Sequence, residues 1–228
     1  MWYEDGIIYY YTSAYNPSLN SDAEQMFGLL SNLSDISGIR DIDVSNVISM
    51  KYMFVRCINL VEADLSNWNT NKLTNIAAMF QMAITPDEMH NSINNKLKRI
   101  ILSENFTFDP NATETAVWQF ASGAINLEDY EFVKYIDVSK AKSLGSFFSN
   151  NRKLKNLNGL KNWDVSNSTE FQFMFSGCTS LTDASAINNW NIKSNANFRE
   201  MFRYAPIHAN FTKIAGTWNS VGTFVPNS

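Results

Sequence analysis

The sequence predicts an α/β solenoid of about seven coils, each a short strand or extended segment followed by a short helix, with capping strands at the ends. Three observations carry that expectation. A Met-Phe pair recurs at Met26-Phe27, Met53-Phe54, Met79-Phe80, Met174-Phe175 and Met201-Phe202, with degenerate copies at Gln119-Phe120 and Phe147-Phe148. The steps between these anchors are 27, 26, 40, 28, 27 and 27 residues, a steady period with one long interruption. Eleven residues before each anchor stands a large apolar side chain (Tyr15, Ile42, Trp68, Phe108, Ile136, Trp163, Trp190), and the position after it is always Asp or Asn (Asn16, Asp43, Asn69, Asp109, Asp137, Asp164, Asn191). Such self-similarity marks a repeat array, because one unit cannot enclose its own apolar face whereas stacked units can.

The elements follow in chain order. Residues 1–14 form an N-terminal cap, with Ile7-Ile8-Tyr9-Tyr10-Tyr11 as its strand. Residues 15–206 hold the repeats. Each begins with an extended part whose apolar positions are regularly spaced: Leu33, Ile36, Ile39, Ile42; Leu154, Leu157, Leu160, Trp163; Leu181, Ala184, Ile187, Trp190. The helix is expected from Val47, Met50, Met53 and Phe54, whose i, i+3, i+6, i+7 spacing is the stripe of a short amphipathic helix. Ser45, Asn46, Ser166 and Asn167 stand upstream as N-caps, and Asn167-x-x-Glu170 has capping-box spacing. The long step reads as an insertion near 84–96, where Pro86-Asp87-Glu88 suggests a helix start. Residues 207–228 form the C-terminal cap, with Phe211 to Val225 as its cover.

The third unit reads Leu60-x-x-Ala63-x-Leu65-x-x-Trp68, close to the L-x-x-L-x-L pattern of a leucine-rich repeat. With DVSNVISMKYMFVRCINL at 43–60, LSNWNTNKLTNIAAMF at 65–80, NWDVSNSTEFQFMFSGCTSL at 162–181 and NWNIKSNANFREMFRYA at 189–205, the chain resembles the BspA-like leucine-rich repeat of bacterial surface proteins, also called the mycoplasma lipoprotein-associated repeat. The resemblance covers residues 5–210 and includes the opening DGIIYYYTSA and LNSDAEQMF. It implies a leucine-rich-repeat-like solenoid, secreted or at the cell surface, used for adhesion, host contact or ligand capture. It carries no shared catalytic residues. Gln119 and Phe147 in place of the anchor Met, and the 40-residue step, depart from the pattern.

Composition and charge narrow the function classes. Of 228 residues, 45% are hydrophobic and 18% charged, which suits a globular chain. The net charge of −4 with no basic run leaves no nucleic-acid footprint. No apolar stretch approaches the ~20 residues of a membrane span, and Met1-Trp2-Tyr3-Glu4-Asp5 lacks the start of a signal peptide. Cys57 and Cys178 share one repeat column four coils apart. At about 4.8 Å per stacked strand that is roughly 19 Å, beyond the ~7 Å limit for a disulfide, so two free, buried thiols are expected. No motif joins His90 or His208 to either cysteine, and the four residues are too dispersed for zinc. The Asp/Asn column lacks the glycine-rich context of calcium repeats; its side chains are expected to ladder from coil to coil and bond turn backbone. Asp41 with Asp43, and Asp22 with Glu24, are paired carboxylates without a sign of a pocket. The abundant aromatics fall mostly in core columns. No catalytic residue, metal or cofactor is therefore expected.

What remains is the surface. Asp35, Asp129, Asn156 and Asp183 lie eighteen residues before their anchors, where they form an exposed column flanked by Glu131, Lys155, Asn158 and Ser185. These four are the candidate ligand-binding residues, because solenoids bind through extended faces; the 84–96 insertion is a second candidate. The expected function is non-enzymatic adhesion or ligand recognition, extracellular or at the cell surface. The expected partner is a host or bacterial surface protein or glycan, bound by a monomer. A structural spacer within a larger surface protein, and an enzyme acting on surface glycans, are the alternatives.

Overall fold

The computed structural model describes residues 2–5, 7–9, 13, 17–83 and 94–227. It corrects the expected fold class. Among the described residues no α-helix forms, so the leucine-rich-repeat-like solenoid of alternating strands and helices is not the architecture. Regular strand among the described residues is confined to three two-stranded sheets with three residues per strand. β1 (Trp2–Glu4) and β2 (Ile7–Tyr9) pair antiparallel, β3 (Glu62–Asp64) and β4 (Arg99–Ile101) parallel, and β5 (Gly216–Trp218) and β6 (Phe224–Pro226) antiparallel. Short 3-10 turns occupy Ser37–Ile39, Glu131–Tyr135, Asn158–Leu160 and Ser185–Ile187. Turns and irregular backbone make up most of the rest.

The segment from Val47 to Phe54 shows why a helix does not form. In a helix every N–H folds back four residues; here the donors alternate. The N–H groups of Tyr52, Phe54 and Arg56 reach the carbonyls of Ala77, Met79 and Gln81 in the next repeat, at 3.0, 2.9 and 2.8 Å. Those of Met53, Val55 and Cys57 close three-residue turns on Met50, Tyr52 and Phe54. Sustaining that alternation puts Tyr52 and Arg56 in the left-handed region, at φ 57° and 56°. The same pairing recurs at Gln25 and Leu29, Gln119 and Gly123, Ser146 and Asn150, Phe173 and Gly177, and Glu200 and Tyr204. A left-handed non-glycine residue costs about 1–2 kcal/mol. The cross-repeat hydrogen bonds, worth about 0.5–1.5 kcal/mol each, and the buried rings beside them offset it.

The leading part of each repeat is corrected in the same way. Leu33, Ile36, Ile39 and Ile42 are spaced by three, the residue count of a 3-10 turn rather than the two of a strand. The N–H of Ile39 bonds to Ile36, and that of Ile42 to Ile39. All four side chains are buried. Ile39 and Ile42 are thus each tied to the inward residue three before them.

Packing joins the repeats into one core. Phe27, Phe54 and Phe80 stack at centroid separations of 5.5 and 5.3 Å, and Phe148, Phe175 and Phe202 continue at 6.2 and 5.1 Å. The degenerate fourth unit is shifted by one residue from its expected anchor. The N–H of Phe80 bonds to the carbonyl of Phe120 as that of Phe54 bonds to Met79, and the N–H of Ala121 bonds to Phe147. Phe120 therefore stands in the Met column and Ala121 in the Phe column, so the step to Phe147 becomes regular. The recurring tryptophans also bond across repeats. Indole N–H groups of Trp68, Trp163 and Trp190 donate to the carbonyls of Ile39, Val133 and Leu160 at 3.2, 3.0 and 3.1 Å. At the C-terminal end, Trp218 and Phe224 of the β5–β6 hairpin pack on Phe202 and Phe198, with centroids 5.1 and 5.3 Å apart.

Candidate functional site

Asp35, Asp129, Asn156 and Asp183 each begin a tight turn. Their side-chain oxygens accept the backbone N–H two residues on, from Ser37, Glu131, Asn158 and Ser185, at 2.7, 2.9, 3.1 and 2.9 Å. Each thereby satisfies a donor at the start of a 3-10 turn. Asn156 and Asp183 are bridged in neighbouring repeats, and Asp129 and Asn156 line one depression. Asp35 is not part of that depression; both its oxygens engage Ser37.

The depression has a volume of about 760 Å³, within the ~300–1,000 Å³ range of ligand sites. Glu128 and Lys153 form an ion pair on it, and the Lys153 hydrogen bond holds the Glu128 carboxyl below its usual range. Lys155, Asn156 and Asn158 are exposed along it. The Tyr130 hydroxyl donates to the Leu127 carbonyl at 2.9 Å, its ring meets Phe148 edge-on at 5.8 Å, and burial raises its pKa, so it stays a neutral phenol. Beside the depression Arg99 bridges Glu62 at 3.1 Å and Asp129 at 3.5 Å.

Sequence reasoning missed Glu62, Arg99, Glu128 and Lys153. The fixed eighteen-residue offset lands on Val61 and Ile101 in the third and fourth units. The β3–β4 register, Glu62 opposite Arg99, supplies the correct alignment. A charge alternation of Glu62, Arg99 and Asp129 was the available signal.

The other sequence candidates resolve as follows. Among the described residues the Asp/Asn column shows no side-chain ladder between repeats, but its side chains do bond turn backbone: Asp43, Asp109, Asp137 and Asp164 accept N–H groups two residues on within their own turns. For Asp43 the backbone N–H of Ser45, and for Asp164 first the Ser166 side chain, lower the carboxyl pKa. Tyr15, Asn16, His90 and the 84–93 part of the insertion lie outside the described residues. Cys57 and Cys178 are free and buried, and their thiols, pushed up to about 12 by burial, hydrogen-bond the carbonyls of Phe27 and Phe148. His208 packs on Trp218 and Phe202, and burial lowers its pKa. Among the described residues no three His, Cys, Asp or Glu side chains gather to hold a metal, and no helix is long and apolar enough to cross a membrane. The site offers hydrogen-bonding and ionic contacts on a rigid, turn-built surface.

A family model described as "Mycoplasma protein of unknown function, DUF285" matches residues 10–108 and 116–223. No curated protein and no solved structure matches the chain.

Proposed function

The chain belongs to the Mycoplasma family DUF285, and we propose that it acts as a non-catalytic recognition module at the cell surface, binding a protein or glycan through the Asp129–Asn156 depression. The observation that carries this reading is a ligand-sized depression, lined by polar and apolar side chains alike, that includes the turn-capping Asp129 and Asn156 and presents Glu131, Lys155 and Asn158 to solvent. Rigid, preorganised polar groups lose little freedom on binding. A second reading, an inert spacer within a larger surface protein, is favoured by one observation: the Asx oxygens on this face are already engaged in their own turns.

One experiment separates the two. The chain, immobilised on beads, is presented with a panel of host matrix proteins, glycans and cultured cells. The same is done with a double variant carrying Lys155→Glu and Glu131→Lys. Retention of a partner by the parent chain and its loss, by about tenfold or more, in the variant supports recognition. Absence of retention across the panel favours the spacer, and equal retention by both proteins places binding outside this depression.

A further inference from the structure

A second groove, of about 680 Å³, runs over the face formed by the left-handed residues of the last four repeats and shares no lining residue with the Asp129–Asn156 depression. Its floor is made of small side chains, Ser146, Ser149 and Ser176 with Gly177, where earlier repeats carry Tyr52 and Arg56 on the same face. Phe173 and Tyr204 rise from it, and Tyr204 is 63% exposed. Cations accompany both rings: the Arg199 guanidinium lies 5.4 Å from the Phe173 centroid and that of Arg203 lies 4.7 Å from Tyr204. Glu200 pairs with both arginines. Arg152, on the groove wall, has no ion pair or hydrogen bond among the described residues.

We propose that this groove binds a carboxylated glycan, a chain of pyranose rings bearing uronate groups. Aromatic faces carry a negative quadrupole that attracts the polarised C–H faces of sugar rings. The Ser146 hydroxyl and the Gln119 and Asn150 amides supply partners for ring hydroxyls. The unpaired Arg152 guanidinium presents a planar donor fork that matches a carboxylate. An acidic peptide satisfies the charge but not the backbone. Peptides docked in extended form borrow main-chain hydrogen bonds from an open edge, and here those groups are taken. The N–H groups of Ser146, Asn150, Phe173 and Gly177 bond to the carbonyls of Gln172, Ser176, Arg199 and Arg203 in adjoining repeats at 2.9, 2.6, 2.9 and 2.7 Å. With these four N–H groups engaged, the middle of the groove reads a ligand through side chains, which favours one recognised by hydroxyls, ring faces and carboxylates.

The test is titration calorimetry of the full chain with a hyaluronate oligosaccharide, a neutral chitin oligosaccharide of equal length, and polyglutamate. Hyaluronate binds, and the chitin oligosaccharide and polyglutamate bind at least about tenfold more weakly. Tyr204→Ala and Arg152→Glu each weaken hyaluronate by about tenfold, Tyr204→Phe retains it, and Lys72→Glu, exposed and on neither depression, leaves it unchanged. No binding of hyaluronate, equal binding of polyglutamate, or binding indifferent to both Tyr204→Ala and Arg152→Glu overturns the proposal. Because Arg152 and Tyr204 lie outside the Asp129–Asn156 depression, failure here does not bear on the reading above.

Discussion

An Asp followed two residues later by Ser is the smallest recurring device in this chain. Asp35-Ser37, Asp43-Ser45, Asp64-Ser66, Asp137-Ser139, Asp164-Ser166 and Asp183-Ser185 all close the same side-chain-to-backbone bond. Asn156 does it with an amide oxygen, so charge is not needed for the geometry. It does matter for pH. Hydrogen bonds from Ser166 hold the Asp164 carboxyl below its ordinary value, and Ser185 does the same for Asp183. A native carboxyl with a lowered pKa binds its proton less readily than the unfolded chain, whose value is about 3.9. Its contribution is therefore full above the unfolded value and lost as pH falls through the lower native one. The melting temperature is expected to drop as pH goes from about 5 to about 2. Asp164→Asn, which keeps an acceptor for Ser166, is expected to fold normally and to show a shallower acid-limb decline. An acid limb unchanged by this variant would place the pH dependence elsewhere.

The turn-built repeat is held by its left-handed positions, and these are unequal. Gly177 sits at φ +75°, and a Cβ there would come within 2.3 Å of the Asn150 side-chain oxygen. Gly145 lies outside that region, and its Cβ would meet the flexible Gln172 side chain at 3.2 Å. Gly177→Ala is expected to cost about 1–3 kcal/mol in urea denaturation, and Gly145→Ala less than about 1 kcal/mol; equal costs would refute the assignment of strain to the backbone. This element also shows what the sequence could reveal. Phe54, Phe80, Phe175 and Phe202 are buried where the periodicity placed them, because burial depends on which residues recur. The backbone was not legible. Met50, Met53, Phe54 and Cys57 have the spacing of a helix stripe and equally that of linked three-residue turns. Nothing in Tyr52, Ser146 or Phe173 announces a positive φ, since that conformation is imposed by the neighbouring repeat's carbonyls. The candidate column was legible in part: Asp129 and Asn156 share the depression, but Arg99 required the β3–β4 register.

In the molecule as a whole, the repeats transmit stability only to their neighbours. The cross-repeat bonds of Trp68, Trp163 and Trp190 span 29 or 30 residues, and the Phe stacking spans 26 or 27, so both join adjoining repeats. An array of this kind behaves as a line of units coupled pairwise, so damage spreads from its site rather than everywhere at once. Phe202 is the informative residue. It touches Phe175 at 5.1 Å, Trp218 at 5.1 Å and His208 at 5.8 Å, joining the last repeat to the C-terminal hairpin. Phe202→Ala opens a cavity worth about 3–5 kcal/mol at that junction while leaving the Phe27, Phe54 and Phe80 stack intact. Native-state hydrogen exchange is therefore expected to accelerate at Phe175, Gly177 and Phe202, whose N–H groups lie in the last cross-repeat bonds. Tyr52, Phe54 and Phe80 should keep their parental rates. A change in the middle, Phe147→Ala in the Met column, removes contacts to Phe120, Phe148 and Trp163 together and should raise exchange on both sides. Uniform acceleration in Phe202→Ala would mean that the chain unfolds as a single cooperative unit, with coupling between repeats stronger than the stability of any one of them.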